Sequence, residues 1–238
     1  MKTIWTITKK ELRSYFDSLI AYVMIVLFLG FSGFFTWLYG ADIFLIGQAS
    51  LRTFFAIAYW TLFFFIPALT MKSIAEESRA GTLELLLTKP VTEWQLVLGK
   101  FLANFIIIFI ALFLTFPYVI TLSKIGNLDQ GAVILGYFGL LLMSAAYIGI
   151  GIFASSISQN QIVAFLIALF AGLFFHIIFG VLARSMTGIL GSLFSYLDLN
   201  THFESVSRGV LDSKDLIYFL SIAFTGLYLS VIKLEARR

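Results

Sequence analysis

Long uncharged apolar runs alternate with short polar connections along this chain. Six of the runs are close to the roughly 20 helical residues that cross the hydrocarbon core of a bilayer. They are residues 19–41, 54–71, 101–122, 131–157, 162–183 and 216–232. Because lipid offers no hydrogen-bond partner to an open strand edge, the pattern predicts an all-α polytopic membrane protein with six transmembrane helices. Pro67 and Pro117 lie inside two of the runs, where we expect proline to kink the helix.

Residues 2–18 precede the first run and have an amphipathic pattern instead. On a helical wheel the apolar face carries Ile4, Trp5, Leu12, Tyr15 and Phe16, and the opposite face carries Lys2, Lys9, Lys10, Arg13 and Asp17. A basic face opposite aromatic side chains predicts a helix that lies in the membrane interface. A solvated helix packed on another subunit is the alternative. Charges ahead of the first run also differ from a cleaved signal peptide, so we expect the N-terminus to be retained.

The longest polar interruption in the first two thirds of the chain is residues 76–90, Glu-Glu-Ser-Arg-Ala-Gly-Thr-Leu-Glu-Leu-Leu-Leu-Thr-Lys-Pro. Thr82 precedes a short apolar stretch, so we predict a short helix with Thr82 as its N-cap. The helix should end before Pro90, because proline disfavours helical geometry in the residue ahead of it. Residues 92–95, Thr-Glu-Trp-Gln, have the spacing of a capping box and should begin a second helix that runs into the third span. A displacement of the short helix would then be transmitted directly to that span.

Residues 184–215 connect the fifth and sixth runs and contain the main polar segment on the side of the membrane opposite residues 76–90. Residues 185–197 are apolar but too short to cross, so they predict short helices that dip into the outer leaflet. His202 follows them and has no second His or Cys nearby, so we expect no metal site there.

Composition supports a membrane protein and excludes several other classes. The chain has 238 residues, of which 60% are hydrophobic and only 12% charged, whereas a soluble domain carries about 25% charged residues. Its length fits one transmembrane domain, residues 1–238. The absence of cysteine excludes disulfides and thiolate metal sites. A net charge of +3 gives no reason to expect nucleic acid as a partner.

The distribution of basic residues predicts the orientation. Eleven of the 16 Lys and Arg residues flank the spans on the side that holds both termini and residues 72–100. Because positive loops stay in the cytoplasm, both termini and the segment 76–90 should be cytoplasmic.

Few residues in the chain could carry chemistry. Gly99-Lys100 lacks the preceding glycine of a phosphate-binding loop, so we expect no ATP hydrolysis, cofactor or catalytic residue in this chain. His176 lies deep in a predicted span, where it is either functional or a neutral imidazole bonded to a neighbouring helix. Asn104 should bond across helices, and the small residues Ala145, Gly149 and Gly151 should allow close helix packing.

Glu76 and Glu77 leave three interpretations open. They could be solvated surface charges, a docking site for a partner protein, or the carboxylates of a protease-like membrane enzyme. An ATP-independent secondary transporter is a further alternative, although such proteins usually show charged or broken helices at the midplane.

Three stretches of the chain resemble a known family. They are Glu76-Glu77 with Gly81-Thr82-Leu83-Glu84 and Gly99-Lys100-Phe101, then Lys-Glu-Leu-Arg-Ser-Tyr-Phe at residues 10–16, and His202-Phe203 with Arg208-Gly209-Val210. Together they resemble the ABC-2 class of ATP-binding-cassette permeases, and most closely the gliding-motility permeases and related six-span export subunits of bacteria. The likeness covers most of the chain. One departure is Leu19, where relatives often have proline, which affects the turn into the first span.

The resemblance implies a function and a set of partners. It makes residues 1–18 an interfacial elbow helix, residues 72–100 a coupling segment seated in a separate ATPase subunit, and residues 184–215 short outer-face helices. ATP and Mg²⁺ would bind to the ATPase, and two permeases, identical or different, would assemble with two ATPases in the bacterial inner membrane. The residues expected at the ATPase contact are Glu76, Glu77, Gly81, Thr82, Leu83 and Glu84.

Overall fold

The computed structural model describes residues 2–39, 50–88 and 90–237, and this described part is helical without strands. The helices are α1 (Lys2–Asp17), α2 (Ile20–Trp37), α3 (Arg52–Thr70), α4 (Ala75–Arg79), α5 (Thr82–Leu87), α6 (Glu93–Phe113), α7 (Phe116–Ile125), α8 (Gln130–Ile157), α9 (Gln161–Leu173), a π-helical turn (Phe174–Ile178), α10 (Phe179–Ser185), α11 (Gly188–Leu197), α12 (Leu199–Ser207) and α13 (Ser213–Glu235).

Six helical segments of the described residues are long and apolar enough to cross a membrane, which confirms the predicted number. Residues 40–41 at the end of the first predicted run lie outside the described residues. The third span is broken into α6 and α7, and Pro117 lies in the first turn of α7, as expected for a kink at proline. Pro67 lies inside α3, which continues to Thr70 without a break.

Helix α8 forms the centre of the bundle, because 72% of its spanning window is buried, and it packs against α3, α6, α9, α12 and α13. Small residues set these contacts, as the sequence predicted. A methyl group placed on Gly149 would lie 2.7 Å from the carbonyl oxygen of Ala223 in α13. One placed on Gly226 would overlap the backbone of Gly149. The two helices therefore pack backbone to backbone at this crossing.

The amphipathic N-terminal helix is confirmed as α1, which packs against α6 and α2. The hydroxyl of Thr8 donates to the carbonyl oxygen of Gly99 in α6 at 3.1 Å, and Trp5 is half exposed. The position of α1 at a membrane surface stays a prediction.

The turn from α1 into α2 is made by Leu19, whose φ is 60°. Proline cannot adopt this left-handed conformation, because its ring holds φ near −65°. The departure noted at Leu19 therefore corresponds to a different turn from the one that a proline would make.

The connection between the fifth and sixth spans contains α11 and α12, which confirms the prediction of short helices there. A π-helical turn interrupts the fifth span, and it includes His176, whose Nδ1 lies 2.8 Å from the hydroxyl of Tyr147 in α8. The hydrogen bond to a neighbouring helix, which was one of the two interpretations of His176, is therefore present. Whether α11 and α12 dip into a leaflet stays a prediction.

Candidate functional site: the coupling segment

The polar connection between α3 and α6 folds into the two short helices α4 and α5, which Gly81 joins with a φ of 69°. Gly81 is therefore the N-cap of α5, and the prediction that Thr82 holds this position is wrong. The turn requires a positive φ, which glycine adopts without a steric penalty, and this moves the cap one residue earlier. The Thr82 hydroxyl instead donates to the carbonyl oxygen of Glu77 at 3.3 Å. Helix α5 ends at Leu87, before Pro90, as predicted.

The predicted capping box at the start of α6 is confirmed. The backbone N–H of Gln95 donates to the Thr92 hydroxyl at 3.3 Å, and the backbone N–H of Thr92 donates to the Gln95 side chain at 3.4 Å. Two backbone donors at the helix end are satisfied in this way. The capping box therefore fixes the residue at which the long helix α6 begins.

A serine of the central helix anchors α4. The hydroxyl oxygen of Ser155 accepts the backbone N–H groups of Ile74 and Ala75, each at 2.9 Å, and donates to the carbonyl oxygen of Met71 at 2.9 Å. Helix α4 has no capping side chain of its own at Ile74, so α8 supplies the acceptor that its first turn needs. Because Ser155 is fully buried, water cannot easily replace it.

A buried lysine joins α4 to α1 and α6. The ammonium of Lys100 in α6 lies 2.8 Å from a carboxylate oxygen of Glu77 and 3.1 Å from one of Glu11 in α1, and the lysine side chain is 1% exposed. The exposed ammonium of Lys10 lies 3.6 Å from the other carboxylate oxygen of Glu77. A buried charge of this kind depends on its partners, because loss of both carboxylates would leave the ammonium unpaired away from water.

A second polar group lies beside the first. The Tyr15 hydroxyl of α1 lies 2.8 Å from the Asn104 side-chain oxygen and 3.0 Å from the carbonyl oxygen of Leu69. The Asn104 amide nitrogen donates to the Ser73 hydroxyl at 3.1 Å, so the predicted bond of Asn104 across helices is confirmed. Burial raises the pKa of the Tyr15 phenol, which keeps it a neutral donor at physiological pH.

The end of α13 adds a further contact. The Arg237 guanidinium donates to the Ser78 hydroxyl at 3.0 Å. The inner side of α4 is thus tied to α1, α6, α8 and the residues after α13. A displacement of α4 relative to the bundle would have to break several of these contacts at once.

The outward side of the segment carries most of the residues that the sequence singled out. Glu76, Gly81, Thr82 and Glu84 are exposed. Leu83 is buried at 3% exposure, and the carboxylate of Glu77 is turned inward onto Lys100. Their expected roles at an ATPase contact stay predictions.

Leu85 is a candidate that sequence reasoning missed, since it is 65% exposed in α5. Its only signal in the sequence is its place in the apolar stretch 83–87, because a single short helix packed on one side cannot bury all of its leucines. Because Leu85 is exposed directly beside the exposed Glu84, we include it in the candidate contact surface.

This geometry does not favour the protease-like alternative. Glu76 is exposed, whereas Glu77 contacts Lys100, so the two carboxylates have different environments and partners. Paired acid and base catalysis requires both groups to face one substrate. No cluster of metal-ligating side chains lies within the described ranges either.

Comparisons with known proteins agree with the likeness seen in the sequence. Residues 5–232 match a family model described as ABC-2 family transporter protein. The chain is 29% identical over 154 residues to a protein of Pseudomonas aeruginosa named probable ABC transporter permease protein NosY, and the match covers 63% of this chain and 56% of that protein. It is 31% identical over 106 residues to a protein of Escherichia coli K12 named probable multidrug ABC transporter permease YbhR, covering 42% of this chain and 27% of that protein. The chain thus spans about half or less of the length of these relatives.

Proposed function

Because this chain belongs to the ABC-2 family of transporter proteins, we propose that it is the membrane subunit of an ABC transporter and that a separate ATPase subunit docks on α4 and α5. The observation that carries the proposal is the two-sided character of the coupling segment. Its outer side exposes Leu85 and Glu84, while its inner side is held by Lys100 and Ser155.

The outer side of α5 fits a protein partner better than it fits lipid or water alone. Leu85 would insert into an apolar pocket of the ATPase, and the carboxylates of Glu76 and Glu84 would meet basic groups around it. Interfaces of this kind depend on a central apolar anchor with a charged rim.

The inner contacts of α4 would transmit movement of the ATPase to the transmembrane helices. Movement of the ATPase would push α4, and the ion pair of Glu77 with Lys100 would carry this push to α6. Ser155 would carry it to the central helix α8. The spans would then shift between inward-open and outward-open arrangements as packed rigid elements.

The remaining parts of the proposal rest on the family resemblance and on the distribution of basic residues. ATP and Mg²⁺ bind to the ATPase, and two permeases with two ATPases make the complete transporter. The chain lies in a bacterial inner membrane with both termini in the cytoplasm, as the basic residues predict. The transporter exports its cargo or performs mechanical work such as gliding motility. Among the relatives, YbhR is named a probable multidrug ABC transporter permease.

The docking claim is tested by co-purification of the chain with its ATPase. Leu85→Asp should reduce the yield of the complex at least about tenfold and abolish stimulation of the ATPase, because a carboxylate in an apolar pocket costs well over 1.4 kcal/mol. Leu211→Asp is the matched control, since Leu211 is 52% exposed and lies just before α13, at the other end of the bundle. Equal effects of both variants would remove the docking site from α5.

The secondary-transporter alternative is distinguished in sealed vesicles that contain the chain and the ATPase. Transport that requires ATP and ignores an imposed ion gradient supports the proposal. Transport that follows the ion gradient without ATP contradicts it.

A further inference from the structure

A second buried polar cluster lies at the end of the bundle opposite the coupling segment. Helix α13 begins there at Ser213 and ends near α4, where Arg237 reaches Ser78. The cluster centres on His202 in α12 and Asp215 in α13, which are 3% and 1% exposed. The imidazole Nδ1 of His202 lies 2.6 Å from a carboxylate oxygen of Asp215, and its Nε2 lies 3.0 Å from the carbonyl oxygen of Tyr196 in α11. One imidazole therefore contacts two other helices.

The donors and acceptors of this group determine how many protons it holds. A backbone carbonyl only accepts, so Nε2 of His202 must carry hydrogen to bond to Tyr196. A neutral imidazole would then present a bare lone pair on Nδ1 to the carboxylate. Two lone pairs repel at 2.6 Å, so the contact with Asp215 requires one more proton, on Nδ1 or on the carboxylate.

Among the ion pairs of the described residues, Asp215 contacts only His202. Charged neighbours are occupied elsewhere: Lys214 pairs with Asp212 and Arg208 pairs with Glu204, both at the surface. An unpaired carboxylate away from water is costly, so the proton is what makes the buried position of Asp215 stable.

The other titratable groups around the pair are engaged in different contacts. Tyr218 of α13 stacks on the His202 ring at 4.0 Å, and its hydroxyl donates to the carbonyl oxygen of Leu197 at 2.6 Å. Asp198 caps α12 by accepting from Thr201. From α3, Tyr59 stacks on Phe203 at 4.8 Å, and from the π-helical turn His176 stacks on Tyr59 at 4.1 Å. None of these side chains replaces the bond between His202 and Asp215.

We propose that His202 and Asp215 form a proton-binding site whose proton holds α11 and α12 against α13. The helix α12 carries the imidazole, α13 carries the carboxylate, and α11 is attached through the Tyr196 carbonyl. Loss of the proton leaves one imidazole nitrogen with a bare lone pair, which faces either the Asp215 carboxylate or the Tyr196 carbonyl oxygen. In either tautomer the repulsion breaks one of the two contacts through which His202 joins α11 to α13. The inference does not depend on ATPase docking, which concerns the other end of the bundle.

The test uses spin labels, and the absence of cysteine in the chain makes labelling specific. Ser192→Cys and Ser213→Cys place labels at exposed positions of α11 and α13. The distance distribution is measured by pulsed electron resonance in lipid nanodiscs under one acidic and one alkaline condition, at about pH 6 and about pH 10. We expect a narrow distribution at the lower pH and a longer, broader one at the higher pH. An unchanged distribution overturns the proposal.

The matched variants separate this site from other titrations. His202→Gln with Asp215→Asn keeps an uncharged hydrogen-bonding pair, so the distribution should stay narrow at both pH values. His176→Gln should leave the pH response of the distance distribution intact. If the double variant instead responds to pH like the unmodified chain, the proposal is overturned. Because the chain has only two histidines, nitrogen NMR of His176→Gln reports His202 alone. Its ring signals should change between the two pH values, and constant signals also overturn the proposal.

Discussion

The ammonium of Lys100 lies 2.8 Å from a carboxylate oxygen of Glu77, although the two residues belong to different helices and the lysine side chain is only 1% exposed. The same ammonium contacts Glu11 of the N-terminal helix at 3.1 Å. The coupling segment is therefore fastened to the bundle by a buried charge, while its outer side is free to contact another protein. This separation of an anchored side from a contact side is what the proposed mechanism requires.

Removal of the Lys100 charge should destabilise the protein strongly. Lys100→Met removes the cation that Glu11 contacts and leaves Glu77 with only the exposed Lys10 at 3.6 Å, and breaking a buried pair in this way costs up to about 3–5 kcal/mol. Thermal unfolding in detergent should show a much lower Tm. Lys10→Met is the control, because Lys10 approaches the same Glu77 from an exposed position and should cost less than about 1 kcal/mol. Equal losses of Tm would contradict the anchoring role of Lys100.

Removal of the Ser155 hydroxyl should loosen the start of α4. Ser155→Ala deprives the backbone N–H groups of Ile74 and Ala75 of their acceptor, a loss of about 1–2 kcal/mol. Hydrogen exchange at these two amides should become about tenfold faster or more. The neighbouring Ser156→Ala should not change it, since that hydroxyl donates only to Phe153 in its own helix. Unchanged exchange in Ser155→Ala would show that the cap is not needed.

The fold was largely predictable because a chain that crosses a membrane must do so as helices of a set minimum length. The lengths of the apolar runs alone give six spans, and the capping-box spacing at Thr92 marks the start of α6 correctly. The N-cap of α5 was misplaced at Thr82, because the sequence shows which residues can cap but not that the turn needs a positive φ at Gly81. The π-helical turn around His176 has no signal in the apolar periodicity.

The contacts of the candidate site were less predictable for a physical reason. Glu77 was expected on the docking surface, and the structure places its carboxylate on Lys100. A five-residue helix such as α4 has no periodicity that shows which side faces the bundle. The partner residues Lys100 and Ser155 are distant in sequence, so only the packed helices bring them to Glu77 and Ile74. Leu85 was overlooked because exposure of one leucine among several depends on the same packing.

A methyl group at the crossing of α8 and α13 should also be destabilising. Gly226→Ala forces α13 away from the backbone of Gly149 in α8, and overpacking of this kind costs about 1–3 kcal/mol. Gly30→Ala is the control, since nothing lies within 4 Å of a methyl group there. Chemical unfolding of both variants in mixed micelles should separate them, and similar stabilities would contradict the close crossing of α8 and α13.

The turn between α1 and α2 offers a stabilising substitution. Leu19 has a φ of 60°, which costs a residue with a side chain about 1 kcal/mol relative to glycine. Leu19→Gly should therefore raise Tm slightly, and Leu19→Pro should lower it, because proline cannot adopt this φ. A higher Tm for the proline variant than for the glycine variant would contradict the left-handed turn.

The contact between α5 and the ATPase is measured most directly by photocrosslinking. In one variant a photoreactive amino acid replaces Leu85 in α5, and in a second variant it replaces Val210 before α13. Both positions are exposed, and they lie at opposite ends of the bundle. The chain is expressed with its ATPase and irradiated in membranes. The account predicts an adduct with the ATPase from position 85 and none from position 210. An adduct from position 210 with none from position 85 would contradict it.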